Sequence, residues 1–229
     1  MVIIREDKLG GITMNIKISI VIFILLSFFN IGAISNNVNS TQNSFSILET
    51  NITKISEFEE NGVKLQYKTS DSIEKEIFRI KEYLNYNISG SYREINKNQF
   101  EIINKNLNIN VKMWCEDKYT YVEITLINKN VKYTAVDLKT ILQKLENKKL
   151  ENIQYFFYYE GKEKEIDNNY FLNRLVNENN IQKTNLLSIN NGYAGTGYLS
   201  NGDKINFALI KYNTGEHIII GTPIIFATY

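Results

Sequence analysis

The chain offers few side chains suited to covalent catalysis or metal binding. It contains one cysteine, Cys115, and one histidine, His217, so it lacks the set of cysteine and histidine ligands that zinc sites use. Cys115 follows Trp114 in a strand-like segment, which favours a small buried hydrophobic side chain over a reactive thiol. His217 lies in a strand-like segment beside a turn, which favours a packed or solvated imidazole. We therefore expect no metal, no cofactor and no catalytic residue.

Other motifs with a known chemistry are weak in this sequence. The Gly195-x-Gly197 spacing is half of a dinucleotide-binding fingerprint, but the third glycine is missing and no helix follows. A sheet bulge or a tight bend is the better interpretation of these glycines. Neighbouring carboxylates occur at Glu116-Asp117 and at Glu163 and Glu165, in predicted turns or helix starts. A glycosidase needs two carboxylates that converge across a cleft, and the sequence leaves that arrangement open.

An uncharged apolar run at residues 18–34 follows Met14 and the basic Lys17. A basic start, an apolar segment of about 7–15 residues and a site with small residues are the parts of a secretory signal peptide. Ala33 and Ser35 stand at the −3 and −1 positions of a cleavage site after Ser35. The sequence therefore predicts a signal peptide at residues 14–35 and an extracytoplasmic location for the rest of the chain.

A signal peptide that begins at Met14 leaves residues 1–13 as upstream sequence from a mis-assigned start. The alternative is an uncleaved membrane anchor, although a spanning helix needs about 20 apolar residues. This run is shorter, and Ser27, Asn30 and Gly32 interrupt its far end. A buried core helix is the remaining alternative. We expect a secreted or envelope-associated protein that contacts a membrane only through this segment, if it is uncleaved.

Net charge argues against nucleic acid as a partner. Beyond residue 35 the basic and acidic residues balance at 23 each, whereas non-specific binding to nucleic acid requires a dense cationic surface. The closest approach to a basic cluster, KLENKK at residues 144–149, contains an acid and is typical of a solvated helix end. We therefore expect no nucleic-acid partner.

Hydrophobic periodicity predicts alternating strands and helices over residues 58–149. Val63, Leu65 and Tyr67 alternate as in a strand, and Asp71 stands at the N-cap position of a helix. That helix carries apolar residues at positions 73, 77, 80 and 84, on one face. Strand-like runs follow at residues 88–95 or 100–103, then 107–114 and 119–127, and Thr134 caps a second helix carrying Leu138, Ile141, Leu142 and Leu145.

The same order recurs over residues 150–229. A strand at 153–159 is broken by Gly161, and a helix from Glu165 or Asp167 carries Phe171, Leu172, Leu175 and Val176. An apolar run at 186–199, the hairpin signal Asn201-Gly202 and strands at 204–212 and 217–220 follow. We interpret this as an internal duplication, with repeats at 58–149 and 150–229 after a flexible N-terminus at 36–57. A single α+β domain without a repeat is the alternative.

Such a duplication would build one curved antiparallel sheet with helices on one face and the other face open. If Leu107, Ile109 and Val111 face inward, their neighbours face outward on the open side. Phe156 and Phe157 are adjacent, so they would point to opposite faces of the strand. This favours core packing over the insertion of both rings into the minor groove of DNA. The candidate interaction surface consists of Asn108, Asn110, Lys112, Tyr193 and Tyr198.

The chain resembles the YwmB family, secreted proteins of spore-forming Gram-positive bacteria that are described as TATA-box-binding-protein (TBP)-like. The resemblance rests on the signal peptide, the two strand–helix–strands units, the segment GYAGTGY at 192–198 and the end IGTPII at 220–225, closing on Tyr229. It covers most of residues 45–229 and is firmest in the last forty. The resemblance implies a duplicated TBP-like fold, and it implies no established activity or catalytic residues.

Two functions of different class follow from the sequence. The first is a non-catalytic binding protein of the secreted or envelope fraction, whose partner is a protein or a cell-wall component. The second is a cell-wall hydrolase that uses a pair of carboxylates, one of them with a raised pKa. A structural role at the envelope is a third alternative. We expect the first, with the open sheet face or the glycine-rich 192–202 segment as the contact surface.

Overall fold

The computed structural model describes residues 38–164, 175–177, 179 and 181–227, and their side chains from residue 44 onward. The chain divides into two units, Met1–Asn36 and Asn37–Tyr229, and the described residues belong to the second. The predicted signal peptide, with Ala33 and Ser35, therefore lies outside the described residues, and so does most of the helix predicted from Glu165 or Asp167.

The described part of the chain is an α+β structure with ten strands and three helices. The order is α1 (Val38–Ile55), β1 (Ser56–Thr69), α2 (Ile73–Asn87), β2 (Ser91–Asn96), β3 (Gln99–Ile103), β4 (Leu107–Glu116), β5 (Tyr119–Asn128), α3 (Ala135–Gln143), β6 (Leu150–Glu163), β7 (Gln182–Ile189), β8 (Gly192–Tyr198), β9 (Lys204–Tyr212) and β10 (Gly215–Thr222).

All ten strands form one antiparallel sheet, in the order β2-β3-β4-β5-β1-β6-β10-β9-β8-β7. The two longest strands, β1 and β6, pair with each other at the centre. Four strands follow on each side, so the order is symmetric about the β1–β6 pair. This central pair joins the amino-terminal strands to the carboxy-terminal ones.

The main core lies between one face of the sheet and the three helices. In β5 every second residue is buried, with Val122, Ile124 and Leu126 pointing into this core. Each helix contributes its apolar stripe to the same cluster, namely Phe45, Leu48 and Ile52 from α1, Ile80 and Leu84 from α2, and Leu138 and Leu142 from α3. A strand with one buried face alternates in this way because its side chains have a period of two.

The expected flexible N-terminus at 36–57 is wrong, because α1 spans most of it and is packed into the core. Phe45 and Leu48 are buried, and the Phe45 ring stacks on Phe157 with ring centroids 5.4 Å apart. The apolar residues of α1 follow helical spacing, but asparagine, serine and threonine fill the positions between them. Because of these polar residues, the sequence did not predict a core helix in this segment.

Three local expectations also need correction. The N-cap of α2 is Ser72, whose side chain accepts a hydrogen bond from the Lys75 amide, and not Asp71. The expected break at Gly161 does not occur, because β6 continues to Glu163. The alternatives at 88–95 and 100–103 both contain strands, β2 and β3. The N-cap at Thr134 is confirmed, with a full capping box to Asp137.

Gly195 lies in regular register with both neighbouring strands, whereas Gly197 stands opposite a register shift in β7, between Gln182 and Asn185. The expected irregularity is therefore present at Gly197, but on the strand opposite the glycine. A Cβ atom on Gly195 would lie 2.4 Å from the Phe207 ring, and one on Gly197 would lie 2.5 Å from Ile181. The glycines therefore make room for two buried side chains of the core. Spacing in the sequence cannot separate this role from a bulge, because the Phe207 ring comes from the neighbouring strand.

Candidate functional site

The face of the sheet opposite the helices carries the candidate site. We call it the open face, and in the amino-terminal half it presents Asn110, Lys112, Trp114, Tyr121, Glu123, Lys64 and Gln66. These residues are exposed or half-buried. They stand on three interior strands, β4, β5 and β1, which are each paired on both sides. A surface built on such strands is rigid.

An aromatic pair lies near one end of this surface. Trp114 and Tyr121 are directly opposite each other on β4 and β5. Their rings are parallel within 11°, with centroids 5.6 Å apart. The Trp114 side chain is 36% exposed. Cross-strand aromatic pairs stabilise a sheet, but an indole this exposed also offers a ring face to a ligand.

Charged side chains beside the aromatic pair are matched with opposite charges. Lys64 Nζ lies 3.4 Å from a Glu123 carboxylate oxygen, and Lys68 Nζ lies 3.3 Å from a Glu151 oxygen. Gln66 donates a hydrogen bond of 2.6 Å to the same Glu123 carboxylate. Burial lowers the pKa of Lys64 and outweighs the attraction of Glu123. The surface is thus polar, and two of its three lysines are paired with carboxylates; the third, Lys112, is exposed, with its Nζ 6.0 Å from the Trp114 ring centroid.

The structure separates the five residues of the predicted interaction surface. Asn108, Asn110 and Lys112 lie together on the open face of β4, between the buried Ile109, Val111 and Met113. Tyr198 is on the same face of β8, but five strands separate β4 from β8. At about 4.8 Å per strand this is about 29 Å. Tyr193 belongs to the opposite face, because it pairs with the buried Leu209.

Trp114 and Tyr121 were missed as site residues, although the sequence contained a signal for them. Trp114 is two residues beyond Lys112, so the alternation that places Lys112 on the open face also places Trp114 there. Cys115 was expected to be buried beside Trp114, and this expectation is wrong. Cys115 is exposed near the β4–β5 turn, with its Sγ 3.9 Å from the Thr120 hydroxyl oxygen.

A segment after β10 covers the centre of the open face, so the face is open only in part. We call residues 223–227 the C-terminal strap. Its Phe226 ring lies 5.6 Å from the Tyr158 ring and 5.3 Å from Lys64 Nζ. Together with Tyr158, Ala208 and Ile219 of the sheet, the strap forms a second, smaller apolar cluster. Ile127 of β5 also packs against this cluster, whereas Trp114 and Tyr121 are not part of it.

A buried carboxyl–imidazole pair lies on the same face in the carboxy-terminal half. His217 Nδ1 is 2.7 Å from a Glu160 carboxylate oxygen, and His217 Nε2 is 3.0 Å from the Thr214 hydroxyl oxygen. Tyr158 donates a 2.7 Å hydrogen bond to the other Glu160 oxygen, and its hydroxyl is 3.3 Å from Glu60. The expectation of a packed His217 is met, since the side chain is 9% exposed.

The surroundings of this pair favour its neutral form. Burial raises the pKa of Glu160 to about 8, and repulsion from Glu60 and Glu59 adds to the effect. Burial also lowers the pKa of His217. Near neutral pH the folded protein therefore holds Glu160 as an uncharged acid beside an uncharged imidazole, because neither charge is solvated well enough to form.

We expect the protein to lose stability as pH rises from about 5 to about 8. Over this range the folded chain keeps a proton on Glu160, with a pKa of about 8, and below about pH 7 also on Glu49, with a pKa of about 7, whereas the unfolded chain has released both from their ordinary pKa of 4.5. Stability falls with pH where the folded state binds more protons. Urea denaturation at several pH values would measure the slope.

Glu160→Gln should flatten that slope, because the amide cannot ionise. Glu57→Gln is the matched control, since Glu57 is an exposed carboxylate on β1. A slope that is the same in the wild type and in Glu160→Gln would contradict a neutral Glu160 in the folded protein.

The described residues contain neither a metal-binding cluster nor a helix suited to spanning a bilayer. No group of three or more histidine, cysteine, aspartate or glutamate side chains in this part of the chain could hold a metal ion. None of the helices that the structure describes is both long and apolar enough to span a bilayer. The geometry that remains is a polar sheet face with an aromatic pair and a separate buried carboxyl cluster.

Comparison with known proteins does not assign a family to the chain. No protein-family model matches it, and no curated protein matches it. The functional interpretation therefore depends on the geometry of the open face and of the buried carboxyl cluster.

Proposed function

We propose that this chain is a secreted or envelope-associated binding protein that is not an enzyme. Its contact surface is the open face in the amino-terminal half of the sheet, around Trp114 and Tyr121. Its partner is a cell-wall component or an envelope protein, and nucleic acid is not a partner. The predicted signal peptide at residues 14–35 supports the location, and the balanced charge of the remaining chain argues against nucleic acid.

The proposed architecture is a duplicated TBP-like fold in the YwmB family. Two observations support it: the strand order is symmetric about the β1–β6 pair, and each half contributes five strands. In this proposal the repeats at residues 58–149 and 150–229 would form those two halves. The open face is the surface that would contact DNA in a DNA-binding relative. Here the strap covers its centre, and Lys64 and Lys68 pair with carboxylates.

The observation that carries the proposed function is the exposed Trp114 on a rigid strand pair. A large apolar ring that remains in water has a cost in free energy, and exposed aromatic side chains are enriched at binding sites. Trp114 is stacked on Tyr121 and held by interior strands, so it needs little ordering when a partner binds. Such preorganisation improves affinity.

Retention on isolated cell envelopes would test this function. We expect the purified exported chain to cosediment with envelopes of its native cell, and Trp114→Ala to reduce the retained fraction about tenfold, equivalent to one lost aromatic anchor. Tyr86→Ala is the control, because Tyr86 is an exposed aromatic residue on α2 and is not part of the open face. Equal retention of Trp114→Ala and the wild type would reject this contact surface.

Sequencing the N-terminus of the exported protein would test its location. A start near Asn36 is expected if the signal peptide is cleaved after Ser35. A retained N-terminus would place the protein on a membrane anchor instead, and would direct the search for a partner to the membrane.

A second candidate function is a cell-wall hydrolase that uses Glu160 and Glu60. The contact of both carboxylates with the Tyr158 hydroxyl, and the pKa of about 8 for Glu160, support it, because an uncharged carboxyl group can act as a general acid. Release of reducing ends from purified cell walls by the wild type, and its loss in Glu160→Gln, would favour the hydrolase. Absence of release by the wild type would reject it.

A further inference from the structure

We propose that the Trp114–Tyr121 pair is a stacking platform for an uncharged glycan built of pyranose rings. This inference rests on the proposed binding function and names the chemical class of the partner. A pyranose ring presents a face of C–H groups, which packs on the electron-rich face of an aromatic ring. The two rings stack on each other, with centroids 5.6 Å apart, so a sugar would stack on the outward-facing side of the pair.

Polar side chains stand where the hydroxyl groups of such a sugar would reach them. The next row of the open face consists of Lys112, Glu123, Gln66 and Gln154, one from each of β4, β5, β1 and β6. This row is displaced from the aromatic row by two residues along each strand, a distance of about 6.8 Å. The row contains ammonium, carboxylate and amide groups, which can both donate and accept hydrogen bonds.

Charge distinguishes a neutral glycan from a nucleic acid, whose bases also stack on aromatic rings. Phosphate groups require cations that are available for pairing. Beside the platform, Lys64 is paired with Glu123, and Lys68 is paired with Glu151 and lies 4.1 Å from the Tyr119 ring centroid. The remaining lysine of this surface, Lys112, lies over the Trp114 ring, with its Nζ 6.0 Å from the centroid. With two of three lysines paired, the surface suits an uncharged ligand better than a chain of phosphate groups.

The single tryptophan of the chain makes the platform directly observable. Trp114 is the only tryptophan, so intrinsic fluorescence at its emission maximum reports this site alone. Titration of the purified exported chain with chitotetraose, an uncharged N-acetylglucosamine oligomer, should give a saturable change in Trp114 fluorescence. Tyr121→Ala should weaken binding about tenfold, since it removes one stacking ring.

The control variant is Tyr86→Ala, which should bind chitotetraose as the wild type does, because Tyr86 is exposed on α2. Trp114→Phe keeps an aromatic ring and should still bind in isothermal titration calorimetry, whereas Trp114→Ala should not. Circular dichroism confirms that each variant is folded before its affinity is compared.

Two outcomes would overturn the inference. One is the absence of any saturable signal with chitotetraose and with cellotetraose. The other is binding of an oligothymidylate at lower concentrations than either sugar. If envelope retention depends on Trp114 while both sugars fail, the binding function stands with a protein partner, and the glycan inference alone is rejected. If retention is independent of Trp114, the proposed contact surface is rejected too.

Discussion

Replacing Glu76 with alanine is expected to lower the free energy of unfolding by about 3–5 kcal/mol, the usual cost of removing one partner from a buried ion pair. The Glu76 side chain is 1% exposed and accepts hydrogen bonds from the Tyr67 hydroxyl, at 2.8 Å, and from Arg79 Nη2, at 2.7 Å. Alanine would leave the Tyr67 hydroxyl and the Arg79 guanidinium group without this acceptor. Urea denaturation monitored by circular dichroism would measure the loss.

Glu82→Ala is the matched control, because Glu82 is an exposed glutamate on the same helix. Arg79 also donates a 2.7 Å hydrogen bond to the carbonyl oxygen of Leu145, just after the end of α3. The cluster therefore links α2 both to β1, through Tyr67, and to the segment that follows α3. Glu76→Gln, which keeps an acceptor for Tyr67, should cost less than Glu76→Ala. If Glu76→Ala is no more destabilising than Glu82→Ala, the cluster does not stabilise the fold.

Gly221→Ala is expected to displace the C-terminal strap at a cost of about 2–3 kcal/mol, typical of an overpacked site. A Cβ atom at Gly221 would lie 2.3 Å from the Ile224 carbonyl oxygen and 2.7 Å from Ile225 Cα. These are backbone atoms of the turn that returns the chain over the sheet, and they cannot rotate away. The loss would be measured by urea denaturation, and strap release by faster limited proteolysis after residue 222.

A chain that ends at Thr222 provides the control for this mechanism. In that chain the strap is absent, so Gly221→Ala should cost little, and the two changes together should cost about as much as the truncation alone. Such strong non-additivity is the mark of two changes that act on one contact. Additive costs would show that Gly221 stabilises the sheet itself and not the position of the strap.

Helices and strands could be predicted from the sequence where their apolar or capping residues follow a regular spacing within one short segment. The alternation in β4 and β5, and the N-cap Thr134 of α3, depend on residues close together in the chain. The strap could not be predicted, because its place is set by contacts of Phe226 with Tyr158 and Lys64, at least 68 positions earlier. Gly161 was misleading for a related reason: it continues β6 because Ser56 and Tyr159 occupy the space beside it.

The candidate site could be predicted only in part. Alternation in β4 placed Asn108, Asn110 and Lys112 on one face, but it could not show that β8, with Tyr198, lies about 29 Å away. That separation follows from the order of strands in the sheet, which periodicity does not encode. The contact of His217 with Glu160 likewise arises only when β10 pairs with β6, which brings together residues 57 positions apart.

The central β1–β6 pair has a consequence for how the protein would fold if it is exported as proposed. Thr69 pairs with Leu150 and Ser56 pairs with Glu163, so the pair closes loops of at least 80 residues. Closing such long loops is slow. A chain that crosses a membrane from its N-terminus would expose the edge of β1 until residues 150–163 had also emerged. During that interval the edge could pair with another chain. The time at which β6 emerges would therefore determine how long the edge of β1 can aggregate.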